Sequence, residues 1–309
     1  MILLTTIGIK VSIKKRIEIL HSLLATAIPK NKFMNTNLPE DHASIQYYDS
    51  DYPSEEHSVF SKNFDDIVSS QGLKHDVDRF LDFASKSNED ILELCCGSGR
   101  VTIPLAKAGH RVTGVDNSRG ILEQFEHNLQ RENEDVRQNI KLIEQDITLL
   151  NLDKTDYKLV ICAFNSLMCI PDFDSQCKAL SSIYNHMSKD GLIVIDLMNP
   201  FILNLSGDAI PKPFFTRKNS HTGNSYTRFA ASGPMNKNQV QELYGWYDEV
   251  LPDGTLKRKN YSMKWRIIFP FEIKLMLKQV GFNIKTIEGG HQKEPYTTDA
   301  KKMFIVAEK

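Results

Sequence analysis

Residues 91–116, "ILELCCGSGRVTIPLAKAGHRVTGVD", set glycines at 97 and 99 between two acids, Glu93 and Asp116. An apolar run enters the small-residue turn, an amphipathic run leaves it, and a second apolar run stops on a carboxylate 17 residues after Gly99. Small residues where a strand becomes a helix leave room for a ligand against the backbone. A helix starting near Ser98 would aim N–H groups and its positive dipole end at an anionic or carboxylate-bearing group. A carboxylate ending the next strand can accept hydrogen bonds from both ribose hydroxyls, so the pattern asks for a nucleoside. A dinucleotide turn needs a third glycine three positions after the second, where this chain has Thr102. Glu93, ahead of the turn, also separates the stretch from a dehydrogenase. Taken singly, Asp116 reads as a helix cap, and Glu93 and Asp146 as capping or surface residues. Their joint spacing on successive strand ends is what implies a ligand.

The elements that must position these residues follow from periodicity. Strands are expected at 90–95, 111–116, 140–144, 158–163 and 191–197, with helices at 74–84, 99–108, 119–132 and 173–187. "LVICAF" and "LIVIDL" show little polar alternation, as in parallel strands covered on both faces, and the fold class is α/β, doubly wound. Beyond Pro200 the helical period is lost over 224–269. Tyr261, Met263, Trp265, Ile267 and Phe269 occupy every second position there, and Asp253-Gly254 supplies a hairpin turn. This antiparallel insertion is expected to cap the edge of the sheet that carries the loops. Helix 271–280 and strands 282–288 and 302–308 follow, and the last two strands, joined without a helix, must be antiparallel.

"ILELCCGSGR", "VTGVDNS", "IEQDI" and "LIVIDLMNP", in this order and with that antiparallel ending, resemble a class I S-adenosylmethionine-dependent methyltransferase over residues 75–200 and 270–309. The resemblance implies a Rossmann-like seven-stranded sheet and S-adenosyl-L-methionine as methyl donor. Carried over by position, Glu93, Gly97 and Gly99 line the methionine half, with Cys95 where the family usually has glycine. Asp116 holds the ribose, Asp146 meets the adenine amino group, and Asn117 and Ile147 flank the adenine ring. Ala163 and Phe164 border the sulfonium. "FNS" at 164–166, "IDLMNP" at 195–200, "YDEVLPDGTLKR" and "MFIVAEK" are more loosely similar to small-molecule methyltransferases, including glycine and aminosugar N-methyltransferases. Leu197 and Met198 stand where glycine N-methyltransferase has a carboxylate-binding arginine, which argues against an amino acid held that way.

The expected activity is therefore methyl transfer to a nitrogen of a small molecule. The alternatives are a small-molecule hydroxyl, a nucleic acid, and donor binding without transfer. Displacement on a sulfonium needs mostly positioning, and a hydroxyl acceptor asks for a base where an amine does not. Tyr47, Tyr48, Asn165, His221 and His291 are the candidates near the pocket mouth, with Tyr48 and Asn165 expected to position the acceptor. "KRKNYSMKWR" at 257–266 interleaves bases with aromatics, yet its alternation also reads as a strand with one solvated face. "AFNSLM" stands where amino-methylating DNA enzymes have a Pro-Pro-aromatic motif, so no nucleic-acid partner is expected.

The rest of the composition sets bounds. The 309 residues carry a formal net charge of -1, so no global field attracts polyanions or membranes. Cys95, Cys96, Cys162, Cys169 and Cys177 are odd in number and lack paired CxxC spacing, and are expected to be reduced and mostly buried, with no metal site. No apolar run approaches the roughly 20 residues of a membrane span, and a cytoplasmic location is expected. Residues 1–34 form an N-terminal extension in which apolar precedes basic, the reverse of a signal peptide. Ile13, Ile17, Leu20 and Leu24 recur there at helical spacing, as a packing arm or a non-native extension ahead of Met34 in preference to a helix lying on a membrane, and no membrane partner is expected. Residues 35–73, with Tyr47, Tyr48 and Tyr52, read as a lid, 74–200 and 270–309 as the donor-binding core, and 201–269 as the substrate cap. Oligomeric state is left open.

Overall fold

Parallel pairing of the apolar strands organises the molecule, whose computed structural model describes residues 42–53, 75–86 and 89–309. The extension at 1–34 and the lid segments 35–41 and 54–73 lie outside the described residues. In chain order the strands are β1 (Ile91–Leu94), β2 (Val112–Asp116), β3 (Ile140–Glu144), β4 (Tyr157–Cys162), β5 (Met187–Met198), β6 (Lys212–Lys218), β7 (Ser225–Ser232), β8 (Val240–Val250), β9 (Leu256–Arg266), β10 (Asn283–Glu288) and β11 (Lys302–Glu308). The helices are α1 (Ala43–Gln46), α2 (Tyr48–Asp51), α3 (Asp76–Ala84), α4 (Thr102–Lys107), α5 (Arg119–Leu129), α6 (Glu134–Gln138), α7 (Phe173–Asn185) and α8 (Pro270–Val280).

One seven-stranded sheet runs β10-β11-β5-β4-β1-β2-β3, with β11 antiparallel to both neighbours. This is the expected α/β core with its antiparallel ending. Strand order reverses at β1, which lies between β2 and β4, and the crevice at such a switch point is where ligands bind in open α/β sheets. The register brings Leu94, Val115 and Cys162 level, and Asp116 beside Glu144, so four strand ends open on one crevice. Ile193, Ile195 and Leu197 of β5 are fully buried with Leu92, Leu94 and Val160, because both faces of the sheet are covered.

The structure moves several boundaries. Helix formation after the glycine turn begins only at Thr102, because Gly97 and Gly99 have φ of 57° and 95°, outside the helical region. The helix expected over 119–132 stops at Leu129, and Asn133 caps the separate α6 by accepting from the Val136 N–H at 3.0 Å. β5 starts at Met187, ahead of the expected 191. The insertion begins earlier than its alternation suggested, with β6 as the edge of a four-stranded antiparallel sheet β6-β7-β8-β9. "KPFFTRK" is mostly exposed and so carries no clean period. β8 and β9 pair in unbroken register from Val240–Arg266 to Val250–Leu256, closed by the expected turn, with Gly254 at φ 83° and Leu251 N–H on the Thr255 carbonyl at 2.8 Å.

The strap formed by α1 and α2 covers one face of this second sheet. Tyr47 stacks on Tyr247 with centroids 4.3 Å apart, within a buried cluster that includes Tyr226 and Tyr261. Asp51, 1% exposed, accepts from Tyr226 Oη at 2.8 Å, Tyr247 Oη at 2.6 Å and Arg228 Nη1 at 2.8 Å. Tyr47 donates to Glu249 at 2.6 Å, and Arg217 donates to the Asp51 carbonyl. On its other side the strap meets the core, where Gln124 Nε2 donates to the Ile45 carbonyl at 2.7 Å and Asn128 Nδ2 to Asp49 Oδ2 at 3.1 Å. Removing one member of a buried ion pair strands the other, at a cost of about 3–5 kcal/mol. Asp51→Ala should lower unfolding stability by roughly that amount, read from urea titration of the variant against wild type.

Candidate functional site

The glycine turn is built to be approached. Cys95 and Gly97 are left-handed at φ 54° and 57°, and a Cβ on Gly97 would lie 3.2 Å from Tyr48 Oη. A Cβ on Gly99 would lie 2.7 Å from the Phe125 ring, so Gly99 serves the packing of α5 against the turn. The helix start expected at Ser98 does not form, and the six-residue α4 is displaced from the turn. The Gly97 N–H instead donates to Asp116 Oδ2 at 3.0 Å, while Asp116 Oδ1 takes the Ser118 N–H at 3.0 Å. The Asn117 N–H also bonds this group, and burial pushes the carboxyl above its ordinary value against the smaller opposing effect of these backbone donors.

Glu93 lies below the turn, 2% exposed, and accepts from Thr102 Oγ1. Burial pushes its carboxyl up to about 8, against a smaller opposing effect of the Thr102 hydroxyl and Arg100. Arg100 pairs with Asp76 at 2.7 Å and lies over the Phe164 ring at 5.5 Å.

Across the crevice, β4 ends in two consecutive left-handed residues without glycine, Phe164 at φ 50° and Asn165 at φ 65°. Such backbone persists only where its surroundings impose it. Asp196 does so here, taking the Phe164 N–H on Oδ2 at 3.3 Å and the Asn165 N–H on its carbonyl at 2.8 Å. Asp196 is fully buried, and although burial alone would raise its carboxyl, Lys302 Nζ at 3.2 Å and His291 hold it well below the ordinary range. Lys302 also sits 5.3 Å from the Phe164 centroid.

Several expected site residues need correction. Asn165 is 2% exposed, and its side-chain oxygen accepts the Met198 N–H at 2.5 Å, so it ties the ends of β4 and β5 together. His291 is buried edge-on between Phe80 and Phe304 rather than at a pocket mouth, and His221 lies exposed on the turn between β6 and β7. Cys169 is exposed, against the expectation of mostly buried cysteines, and all five thiols are free. Among the described residues no cluster of His, Cys, Asp or Glu could hold a metal.

Other expectations fall on the crevice. Asp146 follows β3 and caps a short 3-10 turn by accepting from the Thr148 N–H at 2.8 Å, with Ile147 buried beside it. Asn117 follows Asp116, and Ala163 is buried at the end of β4. Tyr48 covers Gly97, and burial pushes its phenol well above its ordinary value, which keeps it a donor. Tyr52, Arg100 and Asp196 were not assigned from sequence. Tyr52 was visible in the aromatic cluster of the lid, and Arg100 immediately follows the turn, but neither spacing nor type reported their contacts.

The sheet order, the antiparallel last strand and the glycine turn between Glu93 and Asp116 match those of class I S-adenosylmethionine-dependent methyltransferases. Residues 91–191 match the family described as Methyltransferase domain. The chain is similar to the cypemycin N-terminal methyltransferase of a Streptomyces species, 24% identical over 220 residues that cover 71% of this chain and 82% of that protein. Its fold resembles the CcbJ methyltransferase from Streptomyces caelestis, with TM-score 0.63 and 21% identity over 75% of this chain and 88% of the other. It also resembles the S-adenosylmethionine-bound amino pentose methyltransferase CalS10 from Micromonospora echinaspora, with TM-score 0.60 and 15% identity over 85% and 96%. No helix among the described residues is long and apolar enough to cross a membrane.

Glu93 gives a pH signature. Its carboxyl ionises near 4.5 when unfolded and about 8 when folded, so the folded state holds the extra proton and this residue's contribution to stability falls as pH rises between those values. Glu93→Gln removes the dependence. Urea unfolding at about pH 5 and about pH 8 should show the variant gaining on wild type as pH rises.

Proposed function

We propose that this enzyme moves the methyl group of S-adenosylmethionine to a nitrogen of a small molecule held between the core and the cap of β6–β9. The observation that carries the reading is the strap: its Tyr48 roofs Gly97 while its Asp51 is anchored in the cap, so one segment spans the donor turn and the sheet expected to hold the acceptor. The residues fit the donor. The missing side chain at Gly97, the acceptor capacity that three backbone bonds leave on Asp116 and the Tyr48 hydroxyl, which no described residue accepts from, suit the amino-acid and ribose groups. Glu93, Cys95, Gly97 and Gly99 would line the methionine half, Asp116 and Asn117 the ribose, Asp146 and Ile147 the adenine, and Ala163 and Phe164 the sulfonium.

When bound, the donor supplies a methyl group on a sulfonium that is already a good electrophile. The chain's own part is placement: Tyr48 and the strap exclude water above the turn, and the Asp196 clamp fixes the wall formed by Phe164. Nitrogen is favoured because His291 and His221, the two histidines expected near the pocket mouth as bases for a hydroxyl acceptor, sit in the core and on an outer turn. The name of the cypemycin N-terminal methyltransferase supports the same choice. Lid, core and cap at 35–73, 74–200 with 270–309, and 201–269 are the working parts in this reading.

Calorimetry tests the donor half. S-adenosylmethionine and S-adenosylhomocysteine should bind saturably, NAD should not, and Asp116→Ala should weaken both adenosyl ligands by at least about tenfold, the worth of a buried charge-assisted hydrogen bond. Binding of NAD in place of the adenosyl pair would sink the reading.

A further inference from the structure

Tyr52 is the last aromatic of the strap and occupies the junction between the two halves of the site. Its ring stands edge-on to Tyr48, centroids 5.1 Å apart, and edge-on to Phe164 at 4.7 Å, so it continues the wall that starts over Gly97 and ends at β4. Its hydroxyl points into the cap, where Arg228 Nη1 donates to it at 3.2 Å. That arginine cannot turn away: the same nitrogen is held by Asp51 at 2.8 Å, and its Nε donates to Tyr261 Oη at 3.2 Å. A guanidinium has only protons to give, so the contact consumes an oxygen lone pair of Tyr52 and leaves the phenolic proton unspent. Among the described residues nothing accepts that proton. A half-buried phenol polarised by a fixed cation, with its donor unused and its ring against Phe164, is a directional hydrogen-bond donor for whatever is brought to the sulfonium.

We propose that Tyr52 is the acceptor-positioning residue, and that it selects a small amine carrying a hydroxyl or carbonyl oxygen on a carbon next to, or one removed from, the carbon that bears the reacting nitrogen. The oxygen accepts from Tyr52, and the nitrogen, bound as the neutral amine after its ammonium proton has gone to solvent, is left with its lone pair facing the donor. Tyr48, pressed on the glycine turn, serves the donor, and Tyr52 serves the acceptor. The inference rests on the reading of the enzyme as a small-molecule N-methyltransferase.

The test is a panel of matched amine pairs, such as cis-2-aminocyclohexanol and cyclohexylamine, with S-adenosylhomocysteine formation measured for wild type and for Tyr52→Phe, which keeps the ring and removes the hydroxyl. Wild type should prefer the oxygen-bearing members by about tenfold or more in kcat/KM, and Tyr52→Phe should abolish that preference, chiefly through KM. The Kd of S-adenosylhomocysteine should be unchanged in the variant, whereas Tyr48→Phe should weaken it. A preference that survives in Tyr52→Phe, a loss of donor affinity equal to the loss of rate, or amine turnover in wild type without preference would overturn this proposal alone. Donor binding with no amine methylated anywhere in the panel would remove the nitrogen reading and this proposal with it.

Discussion

One buried carboxylate holds the two halves of this protein together. Asp51 lies on a strap only twelve described residues long, from 42 to 53, yet it gathers two phenols and a guanidinium from β7 and β8 of the second sheet. A charge so completely removed from water is tolerable only when fully bonded. Satisfying it fixes where Arg228 and the tyrosines point, and the strap carries that geometry to the core through Gln124 and Asn128. The roof over Gly97 and the face of the cap are thereby consequences of one arrangement.

The core side follows the same physics with different partners. Asp196 is paired with Lys302 and faces His291, and through it the β11 end of the sheet holds two left-handed residues at the end of β4. Glu93 is the contrasting case, a carboxyl buried beside a threonine hydroxyl, for which keeping its proton is cheaper than holding a charge. The site is therefore bounded by a guanidinium held in place at Arg228, a phenol at Tyr48 that burial keeps a donor and a carboxyl at Asp116 fastened by backbone N–H groups.

Much of the core was legible because its information is local. The strand period, the lack of polar alternation in "LVICAF", the glycines and the acids at strand ends each report their own structural role within a few residues, and the helix-free link before β11 dictated an antiparallel pair. What was misread depended on partners far along the chain. Asn165 looked like an acceptor ligand because it follows the fourth strand, but the Met198 N–H, 33 residues on, claims its oxygen. His291 was expected near the pocket mouth, but Phe80 and Phe304 close around it. β6 escaped notice because an exposed edge strand needs no period.

The amino-acid sequence by itself determined a nucleoside site, since turn, acids and strand ends recur at the spacings such a ligand needs to lie across a parallel sheet, and the resemblance those motifs carry supplied the donor. Only the tertiary structure decided which side chains of the strap meet the glycine turn and which meet the cap. Tyr48 and Tyr52 are four residues apart on one short strap, alike in type and composition around them, and they part company only because one meets a glycine turn and the other an arginine 176 residues away. Hydrogen-bond capacity is a property of the residue, but whether it is spent depends on what the fold brings within reach.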